Sequence, residues 1–82
     1  MEPSVARPAV GRAVREIREK KRLSQSELAR RAGVTPATVS RIESGARGGD
    51  LETLVLIALG LGVALWVIFR RAEAFRSFVG LL

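Results

Sequence analysis

The sequence predicts a small, mainly α-helical domain of four helices, followed by one short strand and a short terminal helix. Three observations carry this. Helix start and stop signals recur at close spacing between Ser24 and Gly62, with hydroxyl or carboxylate caps in front and glycine behind. Apolar residues between those signals repeat at helical rather than alternating spacing. One later run, "VALWVIF" at 63–69, is rich in valine, isoleucine and aromatics and reads as a strand. A chain of 82 residues has room for one such domain and a short appendage.

Each element has its own signal. Residues 1–9 hold Pro3 and Pro8 with few large apolar groups, and they read as a flexible N-terminal arm. From Gly11 the pattern is helical: Val10, Val14, Ile17 and Lys21 fall four, three and four apart, with Arg12, Arg15, Glu16, Glu19 and Lys20 outside. The helix breaks at Leu23. Ser24 with Glu27 three residues on forms a capping box for a helix from Gln25 to Ala32, which turns Leu28, Ala29 and Ala32 inward. Gly33 ends it. Thr35 caps the next helix, with Pro36 at its first position, Val39 and Ile42 inward, and Gly45 as the stop. After the loop "GARGGD", Asp50 caps a helix to about Leu61 with Leu51, Leu54, Ile57, Ala58 and Leu61 on one face, weakened by Gly60 and Gly62. The last residues place Ala72, Phe75, Phe78, Val79 and Leu82 on one side of a short helix. Three segments result: the arm at 1–9, a helical domain at 10–62, and the strand with its terminal helix at 63–82.

Charge and composition narrow the function. The net charge is +6, and it is uneven: residues 1–50 hold 11 Lys/Arg against 6 Asp/Glu, residues 51–82 only 3 against 2. A basic half points to a polyanion and an apolar half to burial. There is no Cys and no His, which removes disulfides, thiolate and imidazole metal sites, and Cys/His nucleophile arrangements. The acids form no obvious pair. No enzyme, metal or cofactor is expected. The N-terminus lacks the apolar core of a signal peptide, so a cytoplasmic location is the default.

The two helices joined by "RAGVT" have helix-turn-helix spacing. Ala29 must be small where the second helix crosses, Gly33 makes the turn, and Leu28, Val34, Val39 and Ile42 fill the wedge. A plain helical hairpin in a bundle has the same spacing. The outer face of the second helix, Ala37, Thr38, Ser40 and Arg41, favours DNA: short groups let a helix lie deep in the major groove, and Arg41 can reach a guanine edge with two hydrogen bonds. Lys20, Lys21 and Arg22 suit either a helix C-terminus or a phosphate contact.

"LSQSELARRAGVTPATVSRIESG" followed by "LETLVLIALGLGV" closely resembles the Cro/phage-repressor, or XRE, type of helix-turn-helix DNA-binding domain, over about Gly11 to Val63. The resemblance implies a lambda-repressor-like fold of five helices or fewer whose helix from Thr35 to Ser44 is the recognition helix. It implies that Gln25 touches a phosphate, that Pro36, Ala37, Thr38 and Arg41 face bases or their phosphates, and that Ser40 and Arg47 lie near the backbone. Arg18 and Glu43 match a structural ion pair. Two departures stand out. Pro36 and Ala37 offer no side-chain donors, so readout leans on Arg41, Thr38 and methyl contacts. Leu56 and Leu59 stand where relatives are usually polar, which points to a covered surface.

A lone strand leaves its backbone groups orphaned, and "VALWVIF" is apolar on both faces. The same strand of a second subunit would satisfy it in an intersubunit sheet, giving a homodimer through Leu56, Leu59, Val63, Leu65, Trp66, Val67, Ile68 and Phe69. Such a dimer suits a palindromic operator on double-stranded DNA. The resulting expectation is a transcriptional regulator, most simply a repressor. A second reading, prompted by the hydrophobic C-terminus, is an antitoxin that also binds a toxin protein. A third takes "TLVLIALGLGVALWVIF" as a membrane span. As a helix its 17 residues reach roughly 25 Å against a hydrocarbon core of roughly 30 Å, and Arg70, Arg71 and Arg76 would lie outside, so no membrane is expected.

Overall fold

A computed structural model describes residues 3–46 and 50–80, and the side chains of residues 6–46 and 50–74. Among these residues there are five helices and no strand: α1 (Pro3–Lys20), α2 (Gln25–Ala32), α3 (Pro36–Ser44), α4 (Leu51–Leu61) and α5 (Leu65–Gly80). α1 packs against α3 on one side and α5 on another, while α2 lies between α3 and α4. One core joins all five, built on Val14, Leu28, Val39, Ile42, Ile57, Leu61 and Ile68, each at 1% exposure or less.

α1 starts earlier than the sequence indicated. The arm expected at 1–9 is helical from Pro3, and Ala9 is buried. Prolines near a helix start are compatible with it: Pro3 stands at the first position, and Pro8 forfeits one backbone bond early in the helix. Pro8 also sits against Gly45, its Cα 3.2 Å from where a Cβ on that glycine would lie. Contact with the end of α3 thus anchors the extra turns. At its other end α1 closes without a glycine. Arg22 takes the left-handed conformation (φ 59°), and Leu23 donates to the Arg18 carbonyl at 3.1 Å.

α4 is capped by Asp50, whose carboxylate accepts from the Thr53 N–H at 2.7 Å. Leu54, Ile57, Ala58, Gly60 and Leu61 are buried. Leu51, expected on that face, is instead 66% exposed, because it stands at the first position before the helix reaches the core. Gly60 does not end the helix. It lies within it, where a Cβ would come 3.1 Å from Ala32 and Leu28 of α2, and Gly62 (φ 73°) is the stop.

The strand expected at 63–69 is a helix. Val63 donates to the Ala58 carbonyl in the turn after α4, and α5 begins at Leu65. Ile68 and Ala72, four apart, are fully buried against the rest of the chain, with Leu65 and Val67 partly buried beside them. A helix satisfies its own backbone, so there is no orphaned ladder to complete. Residues 63–69 are therefore not a dimerisation strand, and Ile68 is a core residue of its own chain rather than an interface residue. Arg71 ties α5 to α1 through Glu16 at 3.2 Å. The side chains of Phe75, Phe78, Val79 and Leu82 lie outside the described residues. Among the described residues no single helix is long and apolar enough to cross a membrane, and α4 with the first part of α5 passes only as a pair bent by 98°.

Candidate nucleic-acid interface

α2 and α3 are set by local chemistry. The Ser24 hydroxyl accepts from the Glu27 N–H at 3.0 Å, and the Glu27 carboxylate accepts from the Ser24 N–H at 3.0 Å. Hydrogen bonding from Ser24, first its backbone N–H and then its side chain, holds the Glu27 carboxyl below the usual carboxylate range. Gly33 turns the chain at φ 73°, and its N–H closes α2 on the Ala29 and Arg30 carbonyls. Thr35 then caps α3, accepting from the Thr38 N–H at 3.1 Å with Pro36 at the start of the helix. Leu28, Ala29, Ala32, Val39 and Ile42 are buried in the common core, and Val34 is half-buried. This burial sets which face of α3 remains outside.

That face carries Pro36, Ala37, Ser40 and Arg41, all exposed. No carboxylate among the described residues pairs with the Arg41 guanidinium. Thr38 is half-buried, and its hydroxyl lies 2.9 Å from that of Thr35, so the two threonines are engaged with one another as well as with the cap. Arg47 lies outside the described residues. The ridge thus combines short side chains with one long cation that has no carboxylate partner among the described residues, a shape a major groove accepts.

Behind the ridge is a part-buried ion pair. Arg18 of α1 donates through Nε to Glu43 of α3 at 2.7 Å and through Nη2 at 3.0 Å, with the two side chains 12% and 4% exposed. The hydrogen bonds to Glu43 raise the guanidinium above its already high ordinary value. Arg18 also donates through Nη1 to the Leu23 carbonyl at 2.8 Å. Gln25 joins the same carboxylate, its Nε2 donating to Glu43 at 3.1 Å. Sequence reasoning placed Gln25 at the start of α2 but not this bond, because 18 residues separate the partners and no local spacing encodes it. Among the basic cluster, the Lys21 ammonium lies beside the C-terminal cap of α4, 4.0 Å from where a Cβ on Gly62 would stand. That position complements exposed helix carbonyls.

Comparisons agree with the helix-turn-helix fold. A helix-turn-helix family model matches residues 14–65. The clp gene regulator ClgR from Corynebacterium glutamicum is similar at 29% identity, covering 84% of this chain and 90% of that one, with a TM-score of 0.80. The restriction-modification controller protein C.AhdI from Aeromonas hydrophila is similar at 31% identity, over 76% of this chain and 94% of that one, with a TM-score of 0.74. Wild-type C.Esp1396I, another restriction-modification controller protein, reaches 28% identity over 82% and 87%, with a TM-score of 0.75. A search of the curated proteins finds no match.

Proposed function

The chain belongs to the XRE-type helix-turn-helix family, and we propose that it is a DNA-binding transcriptional regulator that docks α3 in the major groove. The observation that carries the reading is the outer face of α3: Ala37 and Ser40 are short, and Arg41 is exposed with no carboxylate partner among the described residues. In this reading Arg41 contacts a guanine edge, Thr38 and Ala37 meet thymine methyls or phosphates, and Thr35, Pro36, Ser40, Gln25 and Arg47 lie along the backbone. No catalytic step is involved. Occupancy of an operator blocks polymerase, which makes repression the simplest outcome.

The proposed operator is palindromic and the proposed binding unit a homodimer. The dimer no longer rests on a strand. It rests on apolar side chains left uncovered after α4 and α5 pack: Leu59 is 69% exposed, Trp66 59% and Phe69 38%. Leu56, Val63, Leu65 and Val67 flank them, half-buried. Two copies of α3 about 34 Å apart would read successive turns of one DNA face.

Selection of bound sequences from a random DNA pool tests the reading. A two-fold-related site with guanine opposite Arg41 is expected. Arg41→Ala should cost about 1–3 kcal/mol on that site and relax the preference there. Unchanged selectivity would remove Arg41 as a reader. Sedimentation at micromolar concentration checks the dimer, and a monomer mass would end that part of the proposal.

A further inference from the structure

We propose that Glu43 is a positioning residue for the DNA-phosphate contact of Gln25, locking the first side chain of α2 to the recognition helix. This rests on the DNA-binding reading above. The Glu43 carboxylate, 4% exposed, accepts three hydrogen bonds, two from Arg18 and one from the Gln25 amide at 3.1 Å. The two from Arg18 already neutralise its charge. The third does something else. An ionised carboxylate can only accept, so Gln25 must present its NH2 end, and the amide orientation is settled by Glu43. One amide N–H is taken. The second N–H remains, on a half-buried residue at the start of a helix.

The surrounding donors point the same way. Within α2 the Glu27 N–H goes to the Ser24 hydroxyl, and the Leu28 N–H to the Ser24 carbonyl at 3.0 Å. The N–H groups of Gln25 and Ser26 precede the first intrahelical acceptor. The held amide therefore belongs to the same helix end as two backbone donors that have no acceptor among the described residues. A free glutamine loses rotamers on binding, whereas one held by Glu43 has already lost them. Because Glu43 is itself on α3, the phosphate grip and the base-reading face share one register.

The sequence makes the test unusually clean. The chain has one glutamine and no asparagine, so Gln25 supplies the only side-chain carboxamide signal in a 15N–1H correlation spectrum. In the wild-type chain that NH2 pair should show heteronuclear NOE values near those of the helical backbone. The double variant Arg18→Met/Glu43→Met removes the acceptor without stranding a charge, and there the pair should become mobile. On the selected operator, Gln25→Leu should weaken binding about tenfold in the wild-type background and less than about twofold in the double variant.

Equal losses in both backgrounds would overturn the positioning role and leave the DNA reading standing. Absence of any selective DNA binding by the wild type would overturn both. If the double variant does not fold, the wild-type spectrum decides. A mobile amide refutes the proposal, while an ordered amide with a tenfold loss for Gln25→Leu supports it.

Discussion

Gly11→Ala should destabilise the domain, although alanine in place of glycine inside a helix ordinarily stabilises by about 1 kcal/mol. Gly11 lies in the middle of α1 and is buried. A Cβ built there would stand 2.7 Å from the Glu43 carbonyl oxygen and 2.9 Å from its carbonyl carbon, and closer still to the Ile42 carbonyl oxygen. Ordinary carbon–oxygen contacts begin at about 3.3 Å. The overlap with Glu43 alone is therefore more than about half an ångström. The obstructing atoms are backbone, so no rotamer change relieves it, and α1 must retreat from α3.

Overpacking of this kind costs about 1–3 kcal/mol, and a backbone obstacle puts it at or above the upper end. Setting the propensity gain against it leaves a net loss of about 2–3 kcal/mol, roughly 10–20 °C in Tm for a domain this size. Urea unfolding followed by far-UV circular dichroism is the assay: the midpoint should fall with the slope unchanged. Gly60→Ala supplies a graded control, since its Cβ contacts with α2 are all near 3.1 Å and the loss should be smaller. A Gly11→Ala midpoint equal to or above wild type would refute the close α1–α3 approach on which the position of α3 depends.

Other expectations follow from the same geometry. Arg18→Met or Glu43→Met alone should cost about 1–3 kcal/mol by leaving a part-buried charge unpaired, while the two together should unfold near the wild-type midpoint. Arg22→Gly should stabilise by about 1 kcal/mol in urea unfolding, because Arg22 holds a left-handed conformation that glycine adopts without strain. The Glu27 carboxyl is held below its ordinary value of 4.5, so its contribution is complete above that pH and is lost as pH falls through the lowered value. Below pH 4.5 the stability of Glu27→Gln should accordingly decline less steeply than that of the wild type.

The helix boundaries between Ser24 and Gly62 were legible because their determinants are local. Ser24, Thr35 and Asp50 each cap the N–H three residues on, and Gly33, Gly45 and Gly62 each take positive φ. The exposed face of α3 was legible for a related reason: once Val39 and Ile42 are buried, helical period alone puts Ala37, Ser40 and Arg41 outside. What was not legible depends on distant partners. Gly11 looked like a helix start and is a contact point with α3. The bond from Gln25 to Glu43 has no sequence signature, and the extra turns of α1 depend on Pro8 meeting the chain after α3.

The failure at 63–69 has a different cause, and it bears on assembly. A run apolar on every face has no readable period, so β-branched and aromatic content decided for a strand. Propensity of that sort describes a fit to a half-buried pleated surface, and tertiary packing overrides it. Here the four-residue spacing of Ile68 and Ala72 lets one face of α5 fill the groove beside α1, while Arg71 meets Glu16 at 3.2 Å. Once that face is used, the apolar content left over is not a sheet edge but Leu59, Trp66 and Phe69 on the outside of α4 and α5. A strand would have demanded a partner through its backbone. These side chains demand one only through their area, so any association should be helix against helix, driven by burial and sensitive to Leu59→Glu or Trp66→Glu. Both substitutions lie off the α2–α3 unit and should leave its fold intact. A dimer mass unchanged by both would move the subunit contact away from this face.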